Sequence, residues 1–171
     1  MNTFKRKLIG RGDFTKAYQV SDTQVEVVTV CPAKECYALF SKGNPFAPTI
    51  EKLDYLESGE SVYLMPLYAK VRAPKKELNE DCYKIYKALR GITCFGMTYQ
   101  KYISKVGALG LSEEVTEYLC DLAGDVCNAI DTQDLGFEIS PRNIAVGEGG
   151  QLIMLDCFFC RKVLAKIQGR K

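Results

Sequence analysis

Runs of β-branched and aromatic residues dominate the first third of the chain. Residues 5–9, 14–20 and 24–31 are rich in Val, Thr, Tyr and Phe, and Ser21-Asp22-Thr23 is turn chemistry, so three short strands in an antiparallel meander are predicted. Pro32 stops the third strand. Ala33 to Ser41 is a short helical candidate, followed by the loop Gly43-Asn44-Pro45-Phe46-Ala47-Pro48. Two further strands are expected over 49–57 and 61–65, and Glu57-Ser58-Gly59-Glu60 between them is a tight-turn signal that predicts a hairpin.

Past a basic connector, Lys70 to Lys76, the period changes from two to that of a helix. Leu78, Cys82, Ile85, Tyr86 and Leu89 recur at three- and four-residue steps, with Asn79 near the start and Gly91 at the end. Ser112, Glu113 and Glu114 open a longer helix, over 112–131, whose apolar stripe is Val115, Leu119, Leu122, Ala123, Val126 and Ile130. A loop (132–143) follows. Then comes a hairpin of Ile144-Ala145-Val146, Gly147-Glu148-Gly149-Gly150 and Leu152 to Leu155. In the basic tail, Arg161 to Lys171, Val163, Leu164 and Ile167 stand at helical spacing, which predicts a solvated amphipathic helix closing the second half. The pattern is α+β: an antiparallel β-rich first half and a mainly helical second.

Composition narrows the chemistry more than the fold. At 171 residues the chain fits one domain, and 47% hydrophobic with 26% charged residues is ordinary globular composition. A net charge of +2 implies no general attraction to nucleic acid or membranes. There is no histidine, which excludes Ser-His-Asp triads, Cys-His pairs and histidine metal sites. No apolar run approaches the length of a membrane span and none follows Lys5-Arg6-Lys7, so a soluble, cytoplasmic protein is expected. The eight cysteines then read as buried thiols. Cys157-Phe158-Phe159-Cys160 has the spacing of half a zinc site, but no second close pair completes it, and a core role is expected.

Three segments carry chemistry. Gly10-Arg11-Gly12-Asp13-Phe14-Thr15, between the first two strands, has glycines that let backbone N–H groups approach a phosphate, although a plain turn uses glycines as well. Glu138-Ile139-Ser140-Pro141-Arg142-Asn143 sets an acid and an amide five apart after the long helix. Asp156 follows the apolar strand Leu152-Ile153-Met154-Leu155. An Asn and an Asp at the mouth of a hairpin are hard oxygen donors suited to Mg²⁺, and a nearby carboxylate can orient or deprotonate a hydroxyl.

Taken in order, these segments resemble the protein-kinase-like fold, and among its members the small Ser/Thr kinases of tailed bacteriophages. Gly10 to Tyr18 is similar to their GxGxFxxAY loop, and Phe137 to Val146 with Leu152 to Asp156 is similar to their catalytic loop and metal-binding aspartate. The resemblance implies a minimal two-lobed domain over residues 1–171. Residues 1–69 form an N-lobe of five strands and one short helix, and 70–171 a truncated helical C-lobe. It further implies ATP and Mg²⁺ as cofactors. Gly10, Gly12 and Phe14 would cover the nucleotide phosphates, Asn143 and Asp156 would hold Mg²⁺, and Glu138 would stand at the catalytic aspartate's place. Met65, Pro66 and Leu67 would form the hinge beside adenine.

The chain departs from the family at several places. Thr29 stands where the third strand should carry a phosphate-gripping lysine. The loop also resembles that of kinases lacking this lysine, whose glycine loop supplies the charge, which makes Lys16 a candidate replacement. Strand alternation turns Lys16 to the other face unless a bulge intervenes. Lys34, at the start of the short helix, is the other candidate replacement, although an exposed pair with Glu35 is the more ordinary reading of it. Glu138 is one methylene longer than aspartate, Pro66 removes a hinge donor, and Cys157-Phe158 follow Asp156 where the family has Phe-Gly.

The chain ends at Lys171, before the helices that hold a peptide substrate in full kinases. The stripe of the 112–131 helix is therefore expected to need cover from a second copy or a target. Three readings follow: an atypical phage-type kinase acting on Ser or Thr of a host protein, a pseudokinase that captures a host protein without chemistry, and, more weakly, a nucleic-acid binder using Lys5 to Lys7 and the tail. The last lacks a recognition helix or aromatic platform.

Overall fold

The computed structural model describes residues 5–92 and 98–169. The first lobe is a five-stranded antiparallel sheet of β1 (Lys7–Arg11), β2 (Thr15–Gln19), β3 (Gln24–Thr29), β4 (Lys52–Tyr55) and β5 (Ser61–Pro66), in the order β1-β2-β3-β5-β4. β3 is central, and its Val25, Val27, Val28 and Thr29 are buried, as a run of β-branched residues packed on both faces should be. On β5 buried Ser61, Tyr63 and Met65 alternate with less buried neighbours, so one face meets the core. β4 and β5 form the expected hairpin, with Gly59 at φ +81° in its turn.

Helix α1 (Pro32–Phe40) follows β3, with Pro at its first position, where the missing N–H is no loss. Beyond the sheet come α2 (Pro74–Glu77), α3 (Glu80–Arg90), α4 (Tyr99–Gly107) and α5 (Glu113–Cys127). Asn79 caps α3 by accepting from the Cys82 N–H, and Ser112 caps α5 by accepting from the Val115 N–H. β6 (Leu135–Phe137) pairs with β9 (Phe158–Cys160), and β7 (Ile144–Val146) with β8 (Leu152–Met154). Helix α6 (Arg161–Gln168) is the basic tail, anchored by buried Leu164.

The expected class is the observed one, α+β with an antiparallel sheet lobe followed by a mainly helical lobe. Three details differ from the sequence expectation. Residues 99–107 form α4, and 135–137 lie in a strand where only loop was expected. Most of the α5 stripe is covered within the chain: Leu119, Leu122, Ala123 and Val126 are fully buried, Val115 and Ile130 are half-buried, and α5 packs against α4, α1 and β9. The long helix therefore finds most of its cover within the chain, in part from a helix the sequence reading missed.

Candidate functional site

Between the sheet and the β7–β8 hairpin lies a cleft of about 1100 Å³. Val25, Val27, Tyr63 and Met65 line it from the sheet, Gly10 to Phe14 from the β1–β2 loop, and Glu138, Asn143, Leu155 and Asp156 from the second lobe. Residues more than a hundred positions apart thus meet at one opening.

The glycine loop is held closed by the Gly12 N–H donating to the Thr15 carbonyl at 2.8 Å. Neither Gly10 nor Gly12 is among the glycines with positive φ, which are Gly43, Gly59, Gly110, Gly149 and Gly150. An added Cβ would lie 3.6 Å from the Ala17 Cβ at Gly10 and 3.9 Å from the Thr15 carbonyl oxygen at Gly12. Backbone conformation and internal packing therefore do not demand glycine at either place. What its absence of side chain provides is open backbone above the cleft. Phe14, at the tip, folds against Phe159 with ring centroids 5.8 Å apart.

The register shift of the first hairpin lies in β1, between Leu8 and Gly10, so β2 keeps its alternation. Thr15 and Ala17 line the cleft, whereas Lys16 is exposed and does not. Thr29 is 1% exposed and also outside the lining. Its hydroxyl lies 3.3 Å from the Thr15 hydroxyl and accepts the Cys31 N–H at 3.2 Å.

Lys34 corrects the sequence reading most sharply. It is not an exposed neighbour of Glu35: it is 6% exposed, lines the cleft, and its ammonium pairs with the Asp156 carboxylate. Glu35 turns away and accepts from the Tyr55 and Ser61 hydroxyls. The Lys34 Nζ also lies 5.1 Å from the centroid of the Phe14 ring. Burial pushes the lysine down to about 8, against the smaller opposing pull of Cys31, Cys157 and the Asp13 carboxylate. Cys31 and Cys157, close enough to act on that charge, are themselves pushed up by burial and stay thiols at neutral pH.

Asn143 and Asp156 are seated side by side by backbone bonds. The Leu155 and Asp156 N–H groups both donate to the Asn143 carbonyl, at 2.9 and 3.2 Å. The Asn143 side chain shapes its own loop: Nδ2 donates to the Glu138 carbonyl at 2.8 Å, and Oδ1 accepts the Ser140 N–H at 2.6 Å. The exposed Glu138 is tied through its N–H to the Cys157 carbonyl at 2.9 Å. At the other end Met65 and Leu67 line the cleft, and the Leu67 N–H donates to the Thr23 carbonyl at 2.7 Å. With Pro66 lacking an N–H and that of Leu67 taken by Thr23, neither of these two offers a free donor there.

No family model matches the chain, and no curated protein does. Solved structures do. A point mutant of aminoglycoside 2'-phosphotransferase-IIIa in complex with GDP matches with a TM-score of 0.45 and 12% identity, over 94% of this chain and 69% of that one. The CAK complex of Chaetomium thermophilum bound to ATP-γ-S matches with a TM-score of 0.41 and 10% identity, over 91% of this chain and 46% of that one.

The donor set itself suits a hard cation accompanied by phosphates. Mg²⁺ takes oxygen ligands, few of them from protein, and keeps phosphate oxygens in its shell. Asp156 and the Asn143 Oδ1 supply such oxygens beside Lys34, the one buried ammonium among the described residues. Among the described residues no three of Asp, Glu, Cys or His cluster as a self-sufficient metal cage. Lys34, a candidate that the sequence pattern ranked below an exposed pair with Glu35, is the buried one. The available signal was its place directly after Pro32-Ala33, on the first turn of a helix entering from a buried strand.

Proposed function

We propose that the cleft binds ATP and that the chain is a kinase-like phosphotransferase of the small phage type, moving the γ-phosphoryl to a Ser or Thr hydroxyl of another protein. The observation that carries the reading is the convergence of the open glycine loop, the Glu138–Asn143 loop and Asp156 on one cleft, in the order the family resemblance implies.

Val25, Val27 and Met65 supply apolar walls for a base, and the Gly10–Gly12 backbone covers the phosphates. Asn143 and Asp156 would hold Mg²⁺, which when bound neutralises charge on the phosphates. Glu138, exposed and lining the cleft, would accept a hydroxyl proton. Its extra methylene shifts that acceptor by about 1 Å relative to aspartate, a displacement that lowers rate by on the order of a hundredfold.

A specific observation favours a second reading, a nucleotide-binding module without chemistry. The Asp156 carboxylate already meets Lys34, and the Asn143 Oδ1 already accepts from the backbone. Phosphoryl transfer separates the two readings. With γ-labelled ATP, Mg²⁺ and a mixture of acceptor proteins, wild type should label protein slowly, and Glu138→Gln should abolish labelling while nucleotide binding persists. Binding without any label above the Glu138→Gln background selects the module.

A further inference from the structure

We infer that Lys34, delivered by helix α1, is the side chain that grips the phosphates of the nucleotide, so that the phosphate-binding charge has moved from the sheet to the helix. This rests on the reading of the cleft as a nucleotide site.

The sheet has no buried lysine to offer: Lys7 and Arg11 of β1 reach the cleft, but both are exposed and neither is paired with Asp156. Thr29 shares a strand parity with Val25 and Val27, which line the cleft, but its short side chain stays beneath it, bonded to Thr15 and Cys31. Lys16, on β2, is exposed and lies outside the cleft lining, unlike its neighbours Thr15 and Ala17. Among the described residues, Lys34 alone combines a charged group, burial and a place in the cleft wall beside Asp156.

A helix lysine normally extends its ammonium to water, and burying it is unfavourable unless an anion meets it. Here the helix is fixed so that it cannot turn outward. The Tyr37 hydroxyl, one turn beyond Lys34, donates to the Met154 carbonyl at 2.7 Å. The Tyr37 ring lies 5.8 Å from Phe158, and the Cys160 N–H donates to the Cys31 Sγ at 3.3 Å. All three anchors join α1 to the strands that flank Asp156, so the ammonium is held against that carboxylate by the second lobe. The Asp156 side chain is 34% exposed, leaving it and the lysine open to a ligand from the cleft. An ammonium has three donors, and it can keep Asp156 while donating to phosphate oxygens. Glu35 faces the other way, so the first turn of α1 brings no competing carboxylate.

The test compares ATP with adenosine, both with Mg²⁺, by titration calorimetry on the full chain. Lys34→Met should weaken ATP by about ten- to a hundredfold and leave adenosine unchanged. Adding Thr29→Lys to Lys34→Met should recover part of the ATP affinity. A folded Lys34→Met that binds ATP as wild type does overturns the assignment of Lys34 alone. Failure of wild type to bind ATP or adenosine overturns the nucleotide reading and this inference with it. A second measurement needs no variant: an acyl-phosphate derivative of ATP acylates the amine seated at the phosphates. Peptide mass spectrometry should find the acyl group on Lys34, and its appearance on Lys16 instead overturns the inference.

Discussion

The two lobes are built to different strengths. The larger core runs through α3, α4, α5 and the β6–β9 strands, with Leu89, Tyr102, Val106, Leu119, Leu122, Leu135 and Leu152 fully buried and a ring cluster of Tyr102, Phe137 and Phe158 at its centre. The sheet has a far smaller core of Val25, Val27, Ala38, Tyr63 and Met65. Helix α1 belongs to both, giving Ala38 to the sheet and Ala33 and Tyr37, with Cys31 just before it, to the larger body. Asp156, Asn143 and Lys34 are thus positioned by the well-packed body, whereas the glycine loop belongs to a lightly packed sheet. Regions with fewer buried apolar residues open at lower free energy, so the glycine loop is expected to open before the body that holds Asp156 does.

The contrast can be broken at its strongest point. Leu122→Ala in the large core should cost about 3–5 kcal/mol, and Met65→Ala, beside the cleft where water can enter, about 2 kcal/mol, both by chemical denaturation. Equal costs would remove the difference between the lobes. Gly136→Ala comes next, because its Cβ would overlap the ring of Phe159, the residue against which Phe14 rests. A loss of about 1–3 kcal/mol is expected, with altered near-ultraviolet dichroism as the ring pair shifts.

Tyr37→Phe should be smaller, about 1 kcal/mol, since it removes the single hydroxyl bond from α1 to Met154. It should also weaken ATP more than adenosine by loosening Lys34. Smallest is Lys16→Ala, with less than about 0.5 kcal/mol and no change in ATP affinity, as for an exposed strand residue.

Most of the scaffold was legible from sequence because its signals are local. The β4–β5 hairpin, the Asn79 and Ser112 caps and the β7–β8 hairpin each combine a period with a turn or cap residue. Helix α4 escaped because its wholly buried residues are only Tyr102 and Val106 in a polar stretch, although the Thr98 cap, accepting from the Lys101 N–H, was readable. β6 and β9 are three residues each, too short to show a period, and exist through pairing between distant segments.

The site divides along the same line. Gly10, Gly12, Phe14, Met65, Leu67, Glu138, Asn143 and Asp156 do come to one cleft, as motif order suggested. Thr29 and Lys16 do not, and Lys34 does, because its environment is set by Asp156, 122 residues away. A helix lysine that is buried by tertiary contact carries the same local signal as one on the surface.

The most direct test of the account is the Mg²⁺ dependence of ATP binding by wild type and Asp156→Ala, measured by titration calorimetry. The account predicts that wild type binds ATP, that Mg²⁺ tightens it, and that Asp156→Ala, still folded, loses the Mg²⁺ effect. Absence of ATP binding by wild type at millimolar nucleotide, or a Mg²⁺ effect undiminished in Asp156→Ala, would contradict it.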